Sequence, residues 1–223
     1  MRKSEAGNIL FFILIAVVLL GLLTMVLSRS GTSVNQTGSV EKTIIDNSQI
    51  QRYARALESA VDQLRSRGCS EGDISFENPE VAGYENTNNP SDESCFVFSE
   101  QGAGLTWREV GAADIAINPG TNSGVIRGYA ISGVETDAGA AGVDILYLAG
   151  ISADQCTAVN NSFGISGSVA TTVAAWTTPF LGSFTAVTTL GTGGEADGIE
   201  GKSSGCITMN DDTSVFYHVL MAR

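Results

Sequence analysis

The chain has 223 residues and a formal net charge of −12, with 24 Asp/Glu against 12 Lys/Arg. From Cys69 onward the imbalance deepens to 19 acidic against four basic residues, a net of −15. That balance argues against a nucleic-acid partner, whose phosphates need neutralising cations, and against a chain lying flat on anionic lipid.

Met1–Gly7 is short and polar. The run from Asn8 to Leu27 then carries no charge. It is about 20 residues, roughly 30 Å as a helix, which predicts a transmembrane or filament-core helix over residues 8–28. Arg2 and Lys3 precede the run and Arg29 follows it. The positive-inside tendency puts the N-terminus in the cytoplasm. The expected localisation is therefore single-pass in an inner membrane, with a periplasmic or extracellular C-terminal domain. The length of the run, and an exit at Thr24–Arg29 without an Ala-x-Ala, favour a retained segment over a cleaved secretory signal. It is retained either whole or after a cut between Gly7 and Asn8.

Residues 29–39 are rich in Gly, Ser and Thr. They read as a flexible linker or as a soft segment of a longer helix. Residues 40–68 read as an amphipathic helix capped by Ser39. Ile50, Tyr53, Leu57, Val61 and Leu64 recur at three- and four-residue spacing and form one apolar packing face. Gly68 follows as the C′ terminator, with Arg65 and Arg67 near the negative helix end.

Residues 69–223 read as a disulfide-braced, β-rich extracytoplasmic domain. Turn signals separate strand-like runs at 74–76, 95–98 and 105–107. Further strands are expected at 115–117, 125–131, 143–148 and 215–221. A short helix capped by Ser152 is expected over 151–161. The low-charge stretch 164–194 reads as one or two strands or a pliable surface segment. The fold class is α+β: a long N-terminal helix, apolar half then amphipathic half, packed on a small, mostly antiparallel sheet.

Cys69, Cys95, Cys156 and Cys206 are an even set with three possible pairings. Cys69–Cys95 with Cys156–Cys206 is favoured, each bridge worth about 3–4 kcal/mol by loop-closure arithmetic. Zinc is disfavoured, because there is no close Cys-x-x-Cys pair and His218 is the only histidine.

No catalytic constellation stands out. Gly191-x-Gly193-x-x-Ala196 lacks the strand–helix context of a dinucleotide loop, and Gly201-Lys202-Ser203 lacks the preceding glycine of a phosphate loop. His218 lies in an apolar strand, where packing is the usual role. Ser204 has no visible base and sits in no nucleophile elbow. Oxygens at Asn210-Asp211-Asp212, Asp137/Asp144 and Glu195/Asp197/Glu200 are weak calcium candidates, more simply read as solvated turns. Trp107 and Trp176 are read as packed residues before surface anchors. The chain is expected to be non-enzymatic, with no resident cofactor or metal.

The stretch Gly7-Asn8-Ile9-Leu10-Phe11-Phe12-Ile13-Leu14-Ile15-Ala16 resembles the start of bacterial type IV pilins and the pseudopilins of type II secretion systems. The resemblance implies cutting after Gly7 by a prepilin-peptidase-like enzyme, methylation at Asn8, and assembly through the apolar helix. It also implies that Cys156 and Cys206 bracket the C-terminal region as a disulfide. The fifth position after the cut is Phe12, where the family's major subunits carry glutamate. The implied role is a minor pilin or pseudopilin in a cell-surface or envelope filament, with membrane lipid and pilin-type subunits as partners. The alternatives are a bitopic envelope scaffold or binding module and, less favoured, a membrane-anchored enzyme.

Overall fold

In the computed structural model the described residues are 6–110, 124–131, 133–134, 144–167, 169–170, 179–184, 189–190, 197–210 and 212–223. The expected strand at 115–117 lies outside them. The chain divides into two compact units, Met1–Ile44 and Ile45–Arg223.

Helix α1 is assigned to Ala6–Ser66, so residues 29–39 are helical. In the first unit the large apolar side chains from Phe11 to Val26 are exposed. Among the described residues no helix is long and apolar enough to cross a membrane. The stretch whose apolar side chains are described, 11–26, covers about 24 Å of helix, against a hydrocarbon core of about 30 Å. This finding overturns the transmembrane or filament-core half assigned to 8–28. The single-pass inner-membrane localisation and the membrane-lipid partner fall with it.

In the second unit α1 behaves as its periodicity dictates. Ile50, Tyr53, Leu57, Val61 and Leu64 are all buried against the sheet. The helix ends in a Schellman arrangement. Cys69 N–H bonds Leu64 C=O at 3.2 Å and Gly68 N–H bonds Arg65 C=O at 3.0 Å, with Gly68 at φ +100°.

The sheet contains β1 (Gly124–Ile131), β2 (Asp144–Ile151), β3 (Val169–Ala170), β4 (Thr189–Leu190), β5 (Ser204–Thr208) and β6 (Ser214–Met221). Its spatial order is β3-β5-β6-β2-β1-β4. The four central strands pair antiparallel, and the two-residue edges β3 and β4 pair parallel. Helix α2 (Ala153–Ser162) follows β2 directly, entered through a capping box between Ser152 and Gln155.

Alternation along the central strands sorts the core into two layers. Ile145, Tyr147 and Ala149 of β2 and Phe216 of β6 pack with α1. Leu146 and Leu148 of β2 and Val215, Tyr217 and Val219 of β6 form a second core with Ile165 and Ile207 on the opposite face. Both strands are buried along their whole length.

Residues 69–110 carry almost no regular structure. The expected strands at 74–76 and 95–98 reduce to one bridge, Ser75 with Phe96, and 105–107 is extended without a strand partner. Gly102 holds this region tight: a Cβ there would lie 1.8 Å from the Phe96 carbonyl oxygen. Disulfides join Cys69 to Cys95 and Cys156 to Cys206.

Candidate functional site

Ser204 and His218, read separately in the sequence, meet Glu58 at one point. Ser204 on β5 lies opposite His218 on β6 in the strand register, and its Oγ is 2.5 Å from His218 Nδ1. On the other side of the ring, Nε2 is 3.0 Å from Glu58 Oε2 on α1. Because Glu58 accepts from Nε2–H, the neutral ring presents Nδ1 as acceptor to the Ser204 hydroxyl. Burial pushes the His218 pKa down; the Glu58 carboxylate opposes this and Arg55 adds to it.

The composition is that of a Ser–His–carboxylate relay. The geometry is that of a clamp. Ser204 and His218 are each only 7 % exposed, and the Glu58 side chain is 45 % exposed at the outer end of the contact. None of the three residues lines the cavities described below. The three side chains tie helix to sheet, and His218 has the packing role its apolar strand suggests.

The other candidates resolve similarly. Asp144 is buried, and its carboxylate accepts from Ile131 N–H and Arg223 N–H at 2.9 and 3.0 Å, so it braces two chain segments. Glu200 and Asp212 are exposed. Lys202 reaches the Phe163 carbonyl at 3.3 Å within a turn, not a phosphate cradle. Trp107 is buried edge-on to Tyr53 and Phe98. Gly7 and Asn8 fall within the first turns of α1. Trp176, Asp137, Glu195, Asp211 and the Gly191/Gly193/Ala196 motif lie outside the described residues, as do the side chains of Asp197, Gly7 and Asn8. Among the described residues no group of three His, Cys, Asp or Glu is placed to hold a metal ion.

A cavity of about 660 Å³ lies between α1 and the extended segment 104–110. Tyr53, Ala56, Leu105 and Val110 supply apolar wall, and Arg52 and Arg108 stand at it. Arg52 is oriented by its own helix: Nε donates to Ser48 C=O at 3.1 Å and a terminal nitrogen contacts Ser48 Oγ at 3.0 Å. Arg108 donates its backbone N–H to Tyr53 Oη at 3.0 Å. Neither guanidinium is in an ion pair among the described residues. Burial pushes the Tyr53 hydroxyl up to about 12, with the Arg108 N–H and charge opposing, so the phenol stays neutral.

A second cavity, about 670 Å³, has its charges engaged. Arg223 pairs with Glu71 at 2.9 Å and stacks over Phe184, and Arg65 pairs with the same carboxylate at 3.5 Å. A third, about 230 Å³, is lined by both sulfurs' residues, Cys69 and Cys95, beside Arg67.

No family model, curated protein or solved structure matches this chain. With no match to a pilin or peptidase system and no spanning helix among the described residues, the roles built on those expectations are corrected. These are the filament subunit, the membrane-anchored scaffold or enzyme, and the partnership with pilin-type subunits and a prepilin-peptidase-like enzyme. Of the associated descriptors, the disulfide bonds are what the structure supports.

Proposed function

We propose that this chain is a non-catalytic binding domain whose ligand enters the groove between α1 and residues 104–110. The observation that carries the reading is the pair of guanidiniums without ion-pair partners among the described residues, Arg52 and Arg108, beside an apolar floor. A groove of several hundred Å³ with apolar walls and a few convergent polar groups is the usual form of a ligand site. Ser204 and His218 are buried and held with Glu58 as a clamp between helix and sheet, which supports a binding role over hydrolysis.

The experiment is a peptide array of acidic, neutral and basic sequences probed with the oxidised full chain, and with Ala56→Trp, which fills the groove. Retention of at least one class by the wild type and its loss in Ala56→Trp is expected. Equal retention by both proteins overturns the groove. A fluorophosphonate reagent is expected to leave Ser204 unlabelled, and labelling there overturns the non-catalytic role.

The resemblance of residues 1–28 to type IV pilins and pseudopilins is carried separately, as a proposal of kinship over those residues with no filament or membrane role attached. It rests on Gly7-Asn8 and the apolar sequence that follows. N-terminal sequencing of protein from its native source is expected to begin at Asn8, and a start at Met1 removes the kinship's main support.

A further inference from the structure

We infer that the occupant of this groove is an acidic peptide segment in which an apolar side chain separates two carboxylates. This rests on the binding reading above and assigns the chemistry of the partner.

Charge comes first. The protein is acidic overall, yet the two guanidiniums at this groove, which have no carboxylate partner among the described residues, stand on opposite walls, Arg52 on the helix and Arg108 on the extended segment. Arg52 spends its donors on Ser48 within its own turn, which fixes its direction and leaves the rest of its fork for a ligand. Among the described residues the Arg108 side chain has no hydrogen bond. Planar guanidinium forks match carboxylates in bidentate geometry. Between them the floor is Tyr53, Ala56, Leu105 and Val110, which suits an apolar side chain. Gln49 and Thr106 offer neutral donors and acceptors at the same walls.

The net charge argues for a short segment over a polyanion. A chain at −12 repels a nucleic acid along its whole length. It opposes two carboxylates weakly, because exposed charges more than about 8 Å away are screened at physiological salt. The cations at the groove are confined to Arg52 and Arg108, which favours a ligand with its carboxylates confined to those two positions.

The test is fluorescence anisotropy of the oxidised full chain with a labelled, end-blocked pentapeptide alternating glutamate and leucine. The same peptide with glutamine for glutamate is the neutral control. The acidic peptide is expected to bind about tenfold more tightly than the neutral one, with Arg52→Gln and Arg108→Gln each weakening it about three- to tenfold. Arg55→Gln, on the same helix outside the groove, is expected to leave binding unchanged. Inorganic phosphate at equal ionic strength is expected not to compete beyond a sodium chloride control. Equal binding of both peptides that Ala56→Trp abolishes overturns the acidic ligand and leaves the groove standing. Equal binding, or none, that Ala56→Trp leaves unchanged overturns both. Displacement by phosphate beyond the salt control overturns the peptide in favour of a simple anion.

Discussion

The imidazole of His218 on β6 bonds the carboxylate of Glu58 on α1 across 160 positions of sequence, at 3.0 Å. This is a direct polar tie between the helix and the central sheet, and it is sensitive to protonation. The folded protein disfavours the imidazolium, because burial outweighs the pull of Glu58 and Arg55 opposes the charge as well. A base with a depressed folded pKa contributes stability that is complete above its unfolded value, 6.5, and is lost as pH falls through that value towards the folded one. Urea midpoints are therefore expected to fall between pH 7.5 and pH 5. His218→Gln is expected to flatten that slope and to cost about 1–2 kcal/mol at neutral pH. Glu58→Gln removes the group that favours the charged ring, so its acid-side loss is expected to extend to lower pH. A slope unchanged in His218→Gln assigns the effect to other groups.

Asn160 is fully buried and acts as a missing piece of backbone. It donates to Gly167 C=O and Cys206 C=O at 2.8 and 2.9 Å and accepts from Cys206 N–H at 2.7 Å. Asn160→Ala takes these partners from the two buried backbone groups of Cys206 and from the more exposed Gly167 carbonyl, and is expected to cost about 2–3 kcal/mol. Chemical denaturation with both disulfides intact measures it, and a loss below about 1 kcal/mol would mean that water takes over the bonds.

The two disulfides differ in access. Cys156 and Cys206 are fully buried, whereas Cys69 is partly exposed and lines a cavity together with Cys95 and Arg67. Thiolate attack needs a path to sulfur. Mass spectrometry after graded native-state reduction and alkylation is expected to show Cys69–Cys95 opened first, with Cys156–Cys206 opening only as the sheet unfolds. Simultaneous opening would show that the two are governed by one global transition.

Tyr147 carries a buried hydroxyl with no hydrogen-bond partner among the described residues, edge-on to Tyr53. Burial holds its pKa well above the ordinary tyrosine range, so the group is neutral and unsatisfied. Tyr147→Phe removes the desolvated oxygen and keeps the ring. It is expected to raise stability by about 1 kcal/mol, read as a higher urea midpoint at unchanged slope. A fall in the midpoint would reveal a partner for the hydroxyl in solution.

Gly102 passes so close to Phe96 that any side chain displaces backbone. Gly102→Ala is expected to cost about 2–4 kcal/mol, with the disturbance centred on 95–105 by amide hydrogen exchange. A neutral effect would show that the segment shifts freely.

What was legible in the sequence was local. The three- and four-residue spacing from Ile50 to Leu64 has a single physical meaning, and Gly68 marks its end by the conformation only glycine adopts easily. The run at 215–221 and the Ser152 cap are equally direct, as is the use of an even cysteine set for disulfides. Strand β5 was missed because Ser203, Ser204 and Gly205 mimic a turn, and only Cys206-Ile207-Thr208 carries strand character. The run at 8–28 reads as a span on hydropathy, yet among the described residues no helix is long and apolar enough to cross a membrane. The Ser204–His218–Glu58 contact was out of reach: it needs the β5–β6 register and the rotation of α1 together. The groove was hidden similarly. Arg52 reads as decoration on a polar helix face and Arg108 as one charge in a loop, and only the fold sets them on facing walls.

The bridge from Cys156 to Cys206 closes 50 positions of chain, and the Asn160 bonds fasten the same two segments a second time. Strand β5 is thus docked beside α2 by contacts at the neck of a loop that itself returns β3 and β4 to the two edges of the sheet. Lengthening such a loop is thermodynamically mild, about 0.6 kcal/mol for each doubling. The neck therefore acts as a socket: chain added between α2 and β5 outside β3, β4 and their core residues is tolerated while the central strands keep their register.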